Sequence, residues 1–562
     1  MPTTDPTAAR VIVRLLELQG VRRVFCVPGE SYLAVLDALH DSDIDTVVCR
    51  QEGGAAMMAE ATGKLTGRPG IAFVTRGPGA TNAAAGLHIA AQDSSPMILF
   101  VGQVGRDMKG REAFQELDYR AVFGSIAKWV VEIDDPARTA EIVGRAFQVA
   151  MNGRPGPVVV ALPEDMLHEA APLPALRPRE AVPVNPGLNM MIRLQKKLWA
   201  AERPIAILGG SGWTEAAVAA FRRFAERFDL PVACSFRRQM LFDHLHPNYA
   251  GDIGIGANPA LVARIRASDL VLLVGGRMSE MPSQGYELFA IPEPEQPLVH
   301  VHADPEELGR VYHAEIAINA SPAGFAAAAE GLQPPNEIVW RAETVAANAA
   351  YHAWSDTLPA TPGAVQMGEV IETLRDVLAD DAVLTNGAGN YATWIHRFWR
   401  FRRFGTQLAP TSGSMGYGLP AAIAGKLERP EAQVICLAGD GCFQMTCQEF
   451  GTAVQAGANV IVLVVDNGIY GTIRMHQERN YPERISATTL VNPDFAALAR
   501  AYGGHGETVR ETAEFAGALD RAMAAGKPAL IHLLTDPEAI TPTATITGLR
   551  AAARKTDLET QS

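Results

Sequence analysis

The sequence predicts an α/β fold of three doubly wound parallel-sheet domains. Three observations carry that prediction: short apolar runs alternate with alanine-rich stretches, two proline-rich interruptions divide them into three sets, and the chain is 562 residues long. A single hydrophobic core stops growing well below that length, so several domains are required. In the first set, VRRVFCV, DTVVC, GIAFVT, PMILFVG and PGPVVVALP follow one another up to about residue 165. Runs so uniformly apolar suit strands of a parallel sheet covered on both faces by helices. The segment APLPALRPREAVPVNP, from Ala171 to Pro186, then brings a proline every few residues and reads as an extended spacer. The rhythm resumes with RPIAILGG, LPVACS, DLVLLVGG and PLVHVHAD and weakens near LQPPNEIVW. A third set holds DAVLTNGAGN, QVICLAGDG, NVIVLVVDNGIYG and PALIHLLTD, with a glycine-dense stretch between Thr411 and Pro420. The expected organisation is a domain at 1–170, a linker at 171–188, a domain at 189–335, a linker at 336–361, a domain at 362–545 and a polar tail at 546–562.

Composition narrows the function classes. Hydrophobic residues make up 48% and charged residues 20%, the balance of a packed globular protein rather than a disordered one. The formal charge of −13 with no long basic run argues against nucleic acid or an anionic membrane as partner. The densest basic cluster, Arg397, Arg400, Arg402 and Arg403, is interrupted by Trp399 and Phe401 and reads as an ordinary loop. Six cysteines lack metal-type spacing, so reduced thiols in a cytoplasm are expected. The amino-terminal residues do not follow the pattern of a secretory signal, and no apolar run has the length of a membrane span.

The strongest chemical signal lies in the third set. The strand QVICLAG ends on Asp440 between Gly439 and Gly441; after 24 further residues, NVIVLVV ends on Asp466-Asn467-Gly468. Ligands collect beyond the carboxyl ends of strands in an open parallel sheet, which would bring Asp440 and Asn467 together. A carboxylate and an amide oxygen suit a hard cation, and Mg²⁺ takes few protein oxygens before completing its octahedron with phosphate and water. The carbonyl of Ile469 is a third candidate ligand. Glycines 439 and 441 would admit a diphosphate to the backbone at a helix start. Alone, Gly-Asp-Gly is a turn; coupled to the second strand end it is specific.

This pairing resembles the thiamine-diphosphate signature of the acetolactate synthase and pyruvate decarboxylase superfamily, and the chain is most similar to large subunits of acetolactate synthase. The usual Asn-Asn is Asp466-Asn467 here, and Cys442 stands where serine is usual. The resemblance implies thiamine diphosphate and Mg²⁺ as cofactors, with Asp440, Asn467 and Ile469 as metal ligands. It makes the three domains pyrimidine-binding, central and diphosphate-binding. In the stretch from Cys49 to Leu87 it implies that Glu52 activates the aminopyrimidine ring, with Pro78 and Asn82 also touching the cofactor. Gly389 and Asn390 match a loop that meets the diphosphate. In Gly413-Ser414-Met415-Gly416, Met415 matches the residue that keeps the cofactor bent. Gly439, Gly441, Cys442 and Tyr470 complete the implied cofactor contacts. The family builds each site from two subunits, so a homodimer or homotetramer is implied.

Members of the superfamily differ in the fate of the fragment left when a 2-oxo acid loses CO₂. Phe114, Gln115 and Glu116 resemble the synthases' substrate-side segment, and Lys128 stands where they carry a lysine. The expected activity is therefore that of a carboligase joining a decarboxylated 2-oxo acid to a second carbonyl. Three departures keep a nonoxidative decarboxylase, a lyase or an acetyltransferase as the alternative. Glu30 replaces a glycine and is a candidate proton donor, His476 replaces a tryptophan of the second-substrate pocket, and Gln51 replaces a histidine before the glutamate. The candidate catalytic residues are Glu52, Glu30, Gln115 and His476. Arg277 and Asp304 resemble residues of a flavin adenine dinucleotide site, so flavin in the central domain, like a regulatory subunit, is left open.

Overall fold

A computed structural model describes residues 6–561. Among them are three six-stranded parallel sheets and a small antiparallel pair near the carboxyl end. The first sheet comprises β1 (Arg23–Cys26), β2 (Asp45–Val48), β3 (Gly70–Val74), β4 (Met97–Gln103), β5 (Trp129–Glu132) and β6 (Pro157–Pro163), in the order β2-β1-β3-β4-β6-β5. The second comprises β7 (Pro204–Leu208), β8 (Val232–Ser235), β9 (Tyr249–Ile253), β10 (Leu270–Val274), β11 (Leu298–His302) and β12 (Ile316–Asn319), in the order β12-β11-β10-β7-β8-β9. The third comprises β13 (Val383–Asn386), β14 (Gln407–Leu408), β15 (Val434–Gly439), β16 (Ile461–Asp466), β17 (His505–Val509) and β18 (Ala529–Leu534), in the order β14-β13-β15-β16-β18-β17. Each order reverses direction partway along, the mark of a doubly wound sheet. Every residue of β3, β4, β6, β7, β10, β11 and β15 is buried, which explains their unbroken apolar runs.

By contact the chain forms two compact units. One holds the residues up to Pro183 with the short pieces Ile423–Glu428 and Gly451–Ala456, and therefore the first sheet; the other holds the rest, with the second and third sheets. Buried amides tie those two sheets into one body. Gln407 Oε1 accepts from the Gln239 backbone at 2.9 Å, Gln407 Nε2 donates to Gln239 Oε1 at 2.9 Å, and Gln239 Nε2 donates to the His396 carbonyl at 2.8 Å. Pairing such groups removes the cost of burying them.

Two segments expected to lack regular structure are helical. Residues 336–361 contain the helix Arg341–Ser355, which buries Thr344, Ala347 and Tyr351 on one stripe and packs on β9. Residues 546–562, expected as a tail, include the helix Ile546–Gln561, whose Arg550 donates two hydrogen bonds of 2.9 Å to Glu478. Polar composition hid both, because each needs only a narrow apolar stripe or an ion pair to dock. Three of the four arginines of the cluster are engaged within the chain. Arg397 stacks on Trp354 at 3.7 Å, Arg400 pairs with Asp356, and Arg402 pairs with Asp243 at 2.7 Å. No described helix is long and apolar enough to cross a membrane.

Candidate active site

In the second unit, the carboxyl ends of β13, β15 and β16 open into a cavity of about 250 Å³. Its walls include Gly389, Asn390, Gly413, Met415, Gly439, Asp440, Gly441, Cys442, Asn467, Ile469 and Tyr470, so the structure gathers every expected cofactor contact of the third domain. Val365, Met367, Trp394 and Ile540 supply an apolar side that the sequence did not reveal.

Asp440 opens the short helix Asp440–Gln444 directly after β15. Its Oδ1 accepts from Gly441 N at 2.8 Å; its Oδ2 accepts from Gly468 N at 3.0 Å and from Asn492 Nδ2 at 2.7 Å. Burial, with Asp466 nearby, pushes the Asp440 carboxyl up to about 6. A cation would reverse that shift, because opposite charge favours the ionised form. At Asp466, burial is outweighed by hydrogen bonds from His532 and Asn492, and that carboxyl lies below its ordinary range. The donor set of one carboxylate, one amide oxygen and one main-chain carbonyl fits Mg²⁺, and no group of three or more His, Cys, Asp or Glu side chains placed to hold a metal occurs among the described residues.

The glycines at 439 and 441 are required by the packing of their neighbours. A Cβ at Gly439 would lie 2.8 Å from the Tyr391 ring, and one at Gly441 would lie 2.5 Å from the Tyr470 ring. The space their missing side chains leave is filled by tyrosine, which shapes the cavity floor. Cys442 does more than stand in for serine. Its Sγ accepts from Gly416 N at 3.2 Å and lies 3.1 Å from the Tyr391 hydroxyl, which accepts from Gly387 N at 3.1 Å. One thiol thereby joins the Met415 turn to the Asp440 helix. Thr472, also unforeseen, holds Asn390: its hydroxyl accepts from Asn390 N at 3.1 Å and donates to Asn390 Oδ1 at 3.0 Å.

The first unit carries the other expected residues. Gln51 caps the helix Glu52–Thr66, its Oε1 accepting from Gly53 N at 2.6 Å and Gly54 N at 3.2 Å, so Glu52 becomes the first helical residue. Glu52 Oε2 accepts from Asn82 Nδ2 at 2.9 Å, and a Cβ at Gly79 would lie 3.2 Å from Glu52 Oε1. Glu52 is half-buried, whereas Pro78 and Asn82 are exposed on their unit. Glu30 is exposed and receives a hydrogen bond of 3.2 Å from Arg76 Nη2; Arg76 also binds Glu164 at 2.7 Å and the Phe114 carbonyl at 3.1 Å. Gln115 adopts a left-handed backbone with φ of 65° and packs where a side chain at Gly77 would sit, which fixes the Phe114–Gln115 loop against the Arg76 turn.

Two residues fall elsewhere. His476 is exposed on the helix Gly471–Asn480 and does not line the cavity, while its neighbour Met475 turns inward toward Asn390. Lys128 Nζ donates to the carbonyls of Val149, Asn152 and Arg154 at 2.7, 2.8 and 2.8 Å, closing the end of the helix Thr139–Met151. Such a cation satisfies orphan carbonyls and the helix dipole, a structural task.

Comparison with known proteins agrees with this arrangement. Models of the thiamine pyrophosphate enzyme N-terminal TPP binding domain, central domain and C-terminal TPP binding domain match residues 6–122, 192–329 and 387–533. The acetolactate synthase isozyme 2 large subunit of Escherichia coli is 31% identical over 531 residues, covering 94% of this chain and 95% of that protein. An acetolactate synthase large subunit of Parasynechococcus marenigrum is 32% identical over 94% of this chain and 87% of its own length. A probable acetolactate synthase large subunit of Methanocaldococcus jannaschii is 30% identical over 95% and 93%. The chain belongs to the thiamine pyrophosphate enzymes, within the family of acetolactate synthase large subunits.

Proposed function

We propose that this chain is a thiamine-diphosphate and Mg²⁺ carboligase that decarboxylates pyruvate or a related 2-oxo acid and joins the remaining acyl fragment to a second carbonyl. The observation that carries the reading is the convergence of Asp440, Asn467, Ile469 and Met415 on one cavity after β15 and β16, in a chain matched along its length by acetolactate synthase large subunits. Bound thiamine diphosphate supplies a nucleophilic carbon that adds to the 2-oxo acid and accepts the electrons released with CO₂.

The chain's own residues do the rest. Asp440, Asn467 and the Ile469 carbonyl hold the cation that anchors the diphosphate, and Met415, half-buried at the cavity wall, supports the cofactor's rings. Glu52, held by Asn82, takes and returns the proton of the aminopyrimidine ring. Glu52 and Asp440 belong to different compact units, and on the family resemblance alone the two-subunit site is the assembly we propose, as a homodimer or homotetramer. Glu30, steadied by Arg76, and Gln115, on the same Arg76 turn, are placed by this reading on the substrate side. His476 belongs to the second-substrate entrance rather than to the cofactor cavity.

Incubation with pyruvate, thiamine diphosphate and Mg²⁺ tests the reaction: acetolactate is expected, and acetaldehyde as sole product would move the protein to the decarboxylases, with Glu30 as proton donor. The central sheet reverses between β10 and β7, where the Gly209–Gly212 turn faces Gly275, with Arg277 and Asp304 beyond the ends of β10 and β11. That switch point is the place for flavin adenine dinucleotide if the chain carries it. The visible spectrum of the purified protein decides. A cytoplasmic location belongs to the same proposal, and the need for a regulatory subunit is left open.

A further inference from the structure

We infer that Asn492 is a positioning residue for the divalent cation, one that selects which Asp440 oxygen faces the cavity and keeps Asp466 from competing for the metal. The inference rests on the reading of the cavity as a diphosphate and Mg²⁺ site. Asn492 Nδ2 lies 2.7 Å from Asp440 Oδ2 and 2.7 Å from Asp466 Oδ1. The backbone nitrogen of Gly468 lies 3.0 Å from the same two oxygens. Two carboxylates are thus clasped oxygen to oxygen around two shared donors. An amide NH₂ carries two hydrogens, so Asn492 can give one to each acid. A residue with a single donor could not.

The other ends of the acids then take different roles. Asp466 Oδ2 pairs with His532 Nε2 at 2.8 Å, so both Asp466 oxygens are engaged, and Asp466 does not line the cavity although Asn467 next to it does. Asp440 Oδ1 accepts one backbone hydrogen bond, from Gly441, and retains lone-pair capacity toward the cavity. Mg²⁺ demands near-ideal octahedral ligands at short distances. A freely rotating Asp440, or a second acid swinging in, would cost affinity.

Asn492 is itself well held. Gln444 Nε2 donates to its Oδ1 at 2.9 Å. The segment leading to it is fastened to the turn that carries the proposed ligands: Tyr470 N donates to the Thr488 carbonyl at 2.8 Å and Leu490 N to the Gly468 carbonyl at 2.8 Å. Backbone hydrogen bonds therefore tie the segment of Asn492 to the turn of Asn467 and Ile469. Outer partners of this kind commonly set metal affinity by about 10- to 100-fold.

The test is a Mg²⁺ titration of the full-length protein at saturating thiamine diphosphate, followed by tryptophan fluorescence, since Trp394 lines the cavity. Asn492→Asp keeps the size but replaces the shared donor by a third acceptor, and Asn492→Ala removes it. Both are expected to raise the Mg²⁺ concentration for half-saturation by about 10- to 100-fold, with the loss falling on this constant and on the Mg²⁺ dependence of activity far more than on kcat at saturating Mg²⁺. Gln444→Ala, which loosens Asn492 from an exposed position, should shift it in the same direction by a smaller factor and serves if the first two do not fold. Half-saturation within about twofold of the parent protein in Asn492→Ala, with the parent binding normally, would overturn the inference alone. A parent protein that binds neither thiamine diphosphate nor Mg²⁺ would overturn the site as well.

Discussion

The two acids on which the proposed chemistry depends sit in contrasting surroundings. Asp440 lies buried in a walled cavity, with Gly441, Gly468 and Asn492 each donating to it. Glu52 starts a helix with its carboxylate half-buried and Asn82 as its hydrogen-bond donor, while Asn82 and Pro78 beside it are exposed on their unit. The contrast separates two requirements. A metal ligand has to be fixed before the cation arrives, whereas a proton-transferring group needs an open side against which a ring can lie. In the proposed site, preorganisation belongs to the diphosphate end, and completion by a bound ring belongs to the other.

Substitutions can break this comparison in order of effect. Glu52→Gln keeps the hydrogen bond to Asn82 yet removes the proton acceptor. Turnover should fall by about 10²–10⁴-fold while thiamine diphosphate still binds, as measured by steady-state rate alongside a binding titration; full turnover in this variant would contradict the role of Glu52. Glu478→Gln acts on the frame of the diphosphate end. Hydrogen bonds from Arg550, with Arg474 adding to them, hold the Glu478 carboxyl at about 2. A depressed value means stability present above the ordinary carboxylate range near 4.5 and lost as pH falls toward 2. The variant should lose about 3 kcal/mol at pH 7 in a denaturant melt, and its curve should converge with the parent's as the pH drops through that window. Lys128→Met is the smallest. Losing the cation from three carbonyls should cost about 1 kcal/mol and shift the melting temperature without changing kcat. A kcat effect would instead restore Lys128 to the substrate side.

Legibility from sequence followed position in the sheet. The thirteen strands read from apolar runs include every interior strand of the three sheets, plus β2. The five that escaped, β5, β9, β12, β14 and β17, are all at sheet edges. β12 alternates buried and exposed residues, β14 is two residues long, and β17 is mostly half-buried. Edge strands need cover on fewer sides, so their composition does not announce them. The cavity after β15 and β16 was legible for a related reason: its Asp, Asn and Gly residues stand at fixed distances from apolar strands. Asn492, Thr472 and Tyr391 were not, because each acts on a residue far away in sequence. Nothing local marks the asparagine of VNPDF as a clasp between Asp440 and Asp466. The helices in 336–361 and 546–562 were missed because ion pairs and a narrow stripe hold them.

The most direct test of the central claim, that the two ends meet across subunits, is complementation. Glu52→Gln and Asp440→Asn proteins are each expected to be nearly inactive. Co-expressed with random pairing, they should recover about a quarter of the parent activity, because half the dimers are mixed and each mixed dimer has one intact site. Activity no higher than that of either variant alone would contradict the account.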